Sequence, residues 1–77
     1  MEIKVLGAGC SKCKATYAAI EKVARENGVD VSLTKVEDIT ELLNYNIMTT
    51  PAVVVDGAVR IKGYVPSESE IRKLLGI

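Results

Sequence analysis

Apolar residues alternate with polar ones in some parts of the chain and recur every three or four positions in others. Alternation predicts β-strands, and the longer interval predicts helices with one buried face. The two patterns together predict seven elements in the order β-α-β-α-β-β-α. Their expected ranges are 2–6, 11–27, 29–34, 38–46, 52–55, 58–61 and 67–75.

Short polar motifs mark the ends of several of these elements. Asn27-Gly28 is typical of a helix C-terminus, because glycine adopts the left-handed conformation found there. Asp56-Gly57 tolerates the positive φ angles of a type I′ turn, so the two apolar runs beside it form a predicted hairpin. Ser67 and Glu70 form a capping-box pattern before the last helix, which Gly76 ends.

The second helix is predicted to be short. Asp38 and Glu41 form a capping-box pattern at its start. We expect this helix to bury Ile39, Leu42 and Leu43.

This element order predicts the fold class. A strand, a helix of about 17 residues and a second strand form a crossover unit that should be parallel and right-handed. The hairpin then completes a four-stranded mixed sheet, with helices on both faces. We therefore expect an α/β fold in a single domain over residues 1–77.

Composition excludes several classes of function. The 77 residues contain ten Lys and Arg against ten Asp and Glu, so no strongly basic surface for nucleic acid is expected. The longest apolar stretches, such as Ala52 to Val55, fall far short of the roughly 20 residues that cross a bilayer. The amino terminus lacks the pattern of a secretory signal, so a cytoplasmic location is expected.

The two cysteines, Cys10 and Cys13, are the strongest candidates for chemistry. Their spacing alone is weak evidence, since roughly one random pair in forty would share it. Their position is more informative, because the carboxyl end of a parallel strand meets the amino-terminal end of a helix there. The helix dipole, with Lys12 and Lys14 nearby, favours a thiolate at Cys10. We therefore expect this thiol to ionise below the pKa of about 8.5 of an ordinary cysteine.

The two sulfurs are not expected to be equivalent. Cys13 continues the buried stripe of the helix, whereas Cys10 precedes the helix and follows the predicted Gly7-Ala8-Gly9 turn, which has little side chain. We therefore expect Cys10 to meet solvent and Cys13 to be partly hidden. Thiol-disulfide exchange requires such a pair, one thiolate to attack a partner disulfide and a second thiol to release it. We therefore interpret Cys10 as the nucleophile and Cys13 as the resolving thiol.

Other interpretations of the pair stay open. A stabilising disulfide or two buried small side chains would need no chemistry, although so short a loop adds little stability. Two thiolates could also bind a soft metal or a metalloid, but no histidine or further cysteine completes a four-ligand site. A third possibility is an interaction module that binds extended peptides and whose cysteines are incidental.

In the order of its elements the whole chain resembles the thioredoxin superfamily. The specific parts are Cys10-Ser11-Lys12-Cys13, Thr49-Thr50-Pro51 and Gly63, and the chain looks most like the small glutaredoxin-like thioredoxins of archaea and bacteria. The resemblance implies a cis peptide bond before Pro51, with the proline facing the cysteines.

The resemblance also implies roles for single residues. It implies that the backbone of Thr50 pairs with an extended substrate and that Gly63 leaves room for a partner's backbone. Ser11 and Lys12 occupy the dipeptide that tunes the redox potential in the family. Without the resemblance, Pro51 would be interpreted as an ordinary trans residue at a strand start, and Gly63 as a turn residue.

The leading hypothesis is thus a thiol-disulfide oxidoreductase that reduces disulfides in client proteins. We expect it to draw electrons from an upstream reductase or a small thiol. The cysteine pair is itself the electron carrier, so no cofactor or metal is expected, and neither is a nucleic-acid or membrane partner. A monomer is expected. The redox potential and the use of glutathione stay open.

Overall fold

Seven elements follow one another in the predicted order β-α-β-α-β-β-α. The computed structural model describes residues 1–7, 11–47 and 49–77. The elements are β1 (Glu2–Leu6), α1 (Ser11–Glu26), β2 (Ser32–Val36), α2 (Ile39–Asn44), β3 (Ala52–Val55), β4 (Ala58–Lys62) and α3 (Glu68–Leu75). The α/β fold class expected from the sequence is confirmed.

The four strands form one mixed sheet in the order β2-β1-β3-β4. β1 runs parallel to β2 and antiparallel to β3, and β4 runs antiparallel to β3. Val53 pairs with Ile61 and Val54 pairs with Val59, so Arg60 is the extra residue of a β-bulge in β4.

Helices cover both faces of the sheet because the inner strands, β1 and β3, carry apolar residues on both sides. α1 and α3 pack on one face, around a cluster whose buried residues are Ile3, Val5, Ile20, Val23, Ala24, Val53, Val55, Ile61, Ile71, Leu74 and Leu75. On the other face the buried residues are Leu6, Leu42, Ile47, Ala52 and Val54. The second cluster is smaller, so the face covered by α2 is less shielded from solvent.

The second strand begins later than predicted. Val29 and Val31 pack against the larger core cluster but precede the strand, which starts at Ser32. The N–H of Val29 donates to the carbonyl of Ala24, 2.9 Å away, so Val29 is bonded to the last turn of α1 and not to a strand. Pairing starts at Ser32 because its partner is Glu2, the first residue of β1. Alternation alone does not show where a partner strand begins.

The expected burial of α2 is wrong for two of its three apolar residues. Leu42 is buried at 7% exposure, whereas Ile39 and Leu43 are 70% and 64% exposed. Ile39 and Leu43 are four residues apart and share one side of the helix, and only the side with Leu42 faces the sheet. The capping also differs from a full capping box, since the Asp38 carboxylate accepts from the N–H of Thr40, 2.8 Å away.

Local motifs at the other boundaries are confirmed. Ser67 and Glu70 form a reciprocal capping box at the start of α3, and Gly76 ends that helix with a φ of 77°. Asp56 and Gly57 have φ angles of 48° and 86°, as a type I′ turn requires. Over the described ranges, no helix has the length and apolar character needed to span a membrane.

Candidate active site

One end of each of the four strands lies at the same edge of the sheet, the edge that runs across the strands. β1 and β2 are parallel, so both end there, and the N–H of Gly7 donates to the carbonyl of Val36, 2.9 Å away. β3 is antiparallel to β1 and therefore begins at this edge, while β4 returns to it. The N–H of Gly63 donates to the carbonyl of Pro51, 2.8 Å away. This edge therefore brings together segments that lie far apart in the sequence.

Cys13 lies at this edge, fully buried in the first turn of α1. Its sulfur packs against Gly7, so closely that a Cβ atom added at Gly7 would overlap the Cys13 Sγ atom. The same added atom would lie 3.6 Å from the Cβ atom of Thr50. The buried sulfur therefore adjoins both the end of β1 and the segment that leads into β3.

Cys10, the predicted nucleophile, lies outside the described residues, as do Ala8 and Gly9 of the predicted turn. The described neighbour Ser11 begins α1 and is exposed. The expectation that Cys10 meets solvent therefore stays a prediction.

Thr50 and Pro51 differ in their exposure. The peptide bond between them is cis, Pro51 is fully buried, and Thr50 is exposed. Gly63 is exposed and has a φ of 77°, which favours glycine. A Cβ atom at Gly63 would come within 2.9 Å of the Thr49 Oγ1 atom. Turn geometry and a close neighbour thus explain Gly63 without a substrate.

The first turn of α1 has a positive character. It contains Ser11 and Lys12, both exposed, together with the exposed Lys14, and it contains no acidic residue. The amino-terminal end of the helix dipole adds a positive partial charge. An anion beside this turn is therefore stabilised.

Thr16 is the residue near this turn that the sequence patterns did not single out. It is fully buried, and its hydroxyl donates to the Lys12 carbonyl, 2.8 Å away. Thr16 lies three residues after Cys13, on the same face of α1. A polar residue within this apolar stripe was the one signal in the sequence that could have identified Thr16.

Tyr64 follows Gly63 and is bonded to α3. Its hydroxyl donates to the Glu70 carboxylate, 2.6 Å away. This bond raises the pKa of Tyr64 above its ordinary value. The bond from Tyr64, with that from the backbone N–H of Ser67, lowers the pKa of Glu70. The loop between β4 and α3 is thereby fixed at both of its ends.

Within residues 1–7, 11–47 and 49–77, no three histidine, cysteine, aspartate or glutamate side chains are grouped so that they could hold a metal ion.

Residues 1–76 match the family model of the thioredoxin domain. The chain belongs to the thioredoxin family. At the level of the family it is a thiol-disulfide oxidoreductase.

Relatives with the same assignment are found in archaea. The chain is 36% identical over 73 residues to a thioredoxin of Methanocaldococcus jannaschii, covering 95% of this chain and 84% of the relative. It is 31% identical over 75 residues to a thioredoxin of Methanothermobacter thermautotrophicus, covering 97% of each chain. A probable thioredoxin of Archaeoglobus fulgidus is 33% identical over 69 residues, covering 86% of this chain and 75% of that one. The thioredoxin resemblance found from the sequence is thereby confirmed.

Proposed function

We propose that this chain reduces disulfides in client proteins by dithiol exchange, with Cys10 as the nucleophile and Cys13 as the resolving thiol. The observation that carries the proposal is the position of Cys13, buried in the first turn of α1 against Gly7 and beside Thr50. A buried sulfur is protected from outside disulfides, which suits a thiol that acts only after the mixed disulfide has formed.

The proposed reaction has two exchange steps. The Cys10 thiolate attacks one sulfur of the client disulfide, forming a mixed disulfide and releasing the other client sulfur as a thiolate, which takes up a proton. The Cys13 thiol then loses its proton, and its sulfur attacks Cys10. This step breaks the mixed disulfide and releases the second client sulfur, which is also protonated. The client gains two electrons, and the chain is left with a Cys10–Cys13 disulfide.

The surroundings of Cys13 support binding of an extended client segment. Thr50 is exposed beside the buried Pro51, and Gly63, whose N–H donates to the Pro51 carbonyl, is exposed directly after β4. We propose that the Thr50 backbone pairs with the client and that Gly63 allows its backbone to approach. Ser11 and Lys12, both exposed in the first turn, would tune the stability of the thiolate.

Electrons must be returned to the pair after each cycle. We propose an upstream reductase or a small thiol as their source, since either supplies two electrons through the same exchange chemistry. The cysteine pair then carries the electrons without a further cofactor.

A disulfide-reduction assay tests the assignment of the two thiols. Insulin is reduced with dithiothreitol as the electron source, using wild type, Cys10→Ser and Cys13→Ser. We expect both variants to lose catalysed turnover. Cys13→Ser should accumulate a mixed disulfide with insulin through Cys10, because its second step is blocked.

Two outcomes would contradict the proposal. Trapping through Cys13 in Cys10→Ser, with none in Cys13→Ser, would reverse the roles of the thiols. A wild-type chain that binds Zn²⁺ or Cu⁺ stoichiometrically but reduces no insulin would favour the soft-metal alternative instead.

A further inference from the structure

Thr16 is a buried polar residue directly beneath the turn that separates the cysteines. Its side chain is fully buried, and its Oγ1 atom donates to the carbonyl of Lys12 over 2.8 Å. Lys12 stands between the two cysteines in the sequence. The hydroxyl therefore reaches the backbone of the segment that the proposed reaction uses.

The bonded carbonyl belongs to the peptide group that joins Lys12 to Cys13. A hydrogen bond to the oxygen of a peptide group polarises that group and makes its N–H a stronger donor. The N–H of this group belongs to Cys13, in the first turn of α1. Backbone N–H groups of a first turn point out of the amino-terminal end of the helix, which is the end that Cys10 adjoins in the sequence.

Helix geometry does not require the Thr16 hydroxyl. In an α-helix the Lys12 carbonyl accepts from the backbone N–H of Thr16 in any case. The hydroxyl adds a second donor to an acceptor that is already satisfied. Its removal therefore leaves no buried carbonyl without a partner, and so its cost in stability is small.

We propose that Thr16 is a positioning residue for the redox pair: its hydroxyl polarises the Lys12–Cys13 peptide group and so stabilises the reduced chain, in which Cys10 is a thiolate. This inference rests on the proposed function of Cys10 and Cys13. Thr16 touches no substrate in this scheme and acts only through the backbone.

The expected effect has a definite direction. Loss of the hydroxyl makes the Cys13 N–H a weaker donor and so weakens the positive amino-terminal end of α1 that favours a thiolate. The reduced form becomes less stable, so the chain becomes a stronger reductant. A change of about 10 to 30% in a hydrogen bond to a thiolate changes the equilibrium constant about 1.3- to 4.5-fold. At 29.6 mV per tenfold change, this is a shift of about 3 to 19 mV towards more negative potential.

The test measures the reduction potential of the Cys10–Cys13 couple, by equilibration with glutathione, in wild type and three variants. Thr16→Val keeps the shape of the side chain and removes the hydroxyl, whereas Thr16→Ser keeps the hydroxyl and removes the methyl group. Asn27→Ala is the matched control. Its Nδ2 atom donates to the Val23 carbonyl, also four residues earlier and also at 2.8 Å, but at the other end of α1.

We expect Thr16→Val to shift the reduction potential by about 3 to 19 mV towards more negative values, with a matching rise in the pKa of the Cys10 thiol. Thr16→Ser and Asn27→Ala should keep the wild-type potential, even where urea unfolding shows a loss of stability.

The outcomes separate this inference from the proposed function. A wild type that reduces insulin, together with an unchanged potential in Thr16→Val, overturns the role of Thr16 alone. A shift of equal size in Asn27→Ala also overturns it, because the effect would then follow general helix stability. A wild type that reduces no disulfide overturns the proposed function itself.

Discussion

Replacing Gly7 by alanine is the sharpest test of how the buried sulfur is packed. The φ angle of Gly7 lies outside the left-handed region, so alanine is compatible with the backbone. The added methyl group, however, would overlap the Cys13 Sγ atom and lie 3.2 Å from the Cys13 Cβ atom. The substitution therefore tests side-chain packing and not backbone strain.

The cost is estimated from overpacking of a well-packed interior. An extra methyl group at such a site destabilises by about 1 to 3 kcal/mol, because neighbouring atoms must move. For a chain of this size, about 2 kcal/mol corresponds to a fall of about 8 to 16 °C in Tm. Relief of the overlap requires the sulfur to move, so we expect the second exchange step to slow as well.

The assay combines thermal unfolding with single-turnover release of a mixed disulfide. Gly28→Ala is the matched control, since Gly28 has a φ of 65° and, apart from its chain neighbours, no atom of the described residues would lie within 4 Å of an added Cβ. Its alanine costs about 1 to 2 kcal/mol through backbone strain alone. We expect both variants to lose stability but only Gly7→Ala to slow the release step.

A normal Tm and a normal release rate in Gly7→Ala would refute this reasoning. Equal slowing in both variants would also refute it, because it would tie the rate to global stability.

Two further predictions concern α2 and the loop before α3. Leu42→Ala should lower the free energy of unfolding in urea by about 2 to 5 kcal/mol, because Leu42 is buried. Leu43→Ala should change it by no more than about 0.5 kcal/mol, because Leu43 is exposed. Similar losses in both variants would contradict the packing of α2. The Tyr64–Glu70 bond lowers the pKa of Glu70, so its stabilisation is present above the ordinary carboxyl pKa and is lost as the pH falls through the lowered value. Tyr64→Phe should therefore raise the pKa of Glu70 in an NMR titration and reduce stability at neutral pH more than in acid; an unchanged carboxyl pKa would contradict the bond.

Much of the fold could be predicted because its signals are local. The capping box at Ser67 and Glu70 and the turn at Asp56-Gly57 each depend on neighbouring residues, so sequence alone was sufficient for them. The start of β2 was missed because it depends on where a distant strand begins. The exposure of Leu43 was missed because periodicity gives an apolar face but not the width of the surface that covers it.

The candidate site shows the same division. The position of Cys13 in a buried stripe follows from helical spacing, and its burial agrees with that expectation. Its contact with Gly7 was not predictable, because a glycine within a predicted turn has an ordinary explanation in turn geometry. Thr16 was overlooked because threonine is common in helices, and only the structure shows its hydroxyl buried on the Lys12 carbonyl.

The bulge at Arg60 affects whether molecules of this protein associate through their outer strands in concentrated solution. β4 is an outer strand, and an outer strand with regular geometry offers a template on which another chain can add a strand. Arg60 interrupts the register of β4 and places an exposed charge there, and Lys62 adds a second exposed charge. The other outer strand, β2, carries an exposed charge at Lys35. We therefore expect both borders of the sheet to resist fibril-like stacking between molecules.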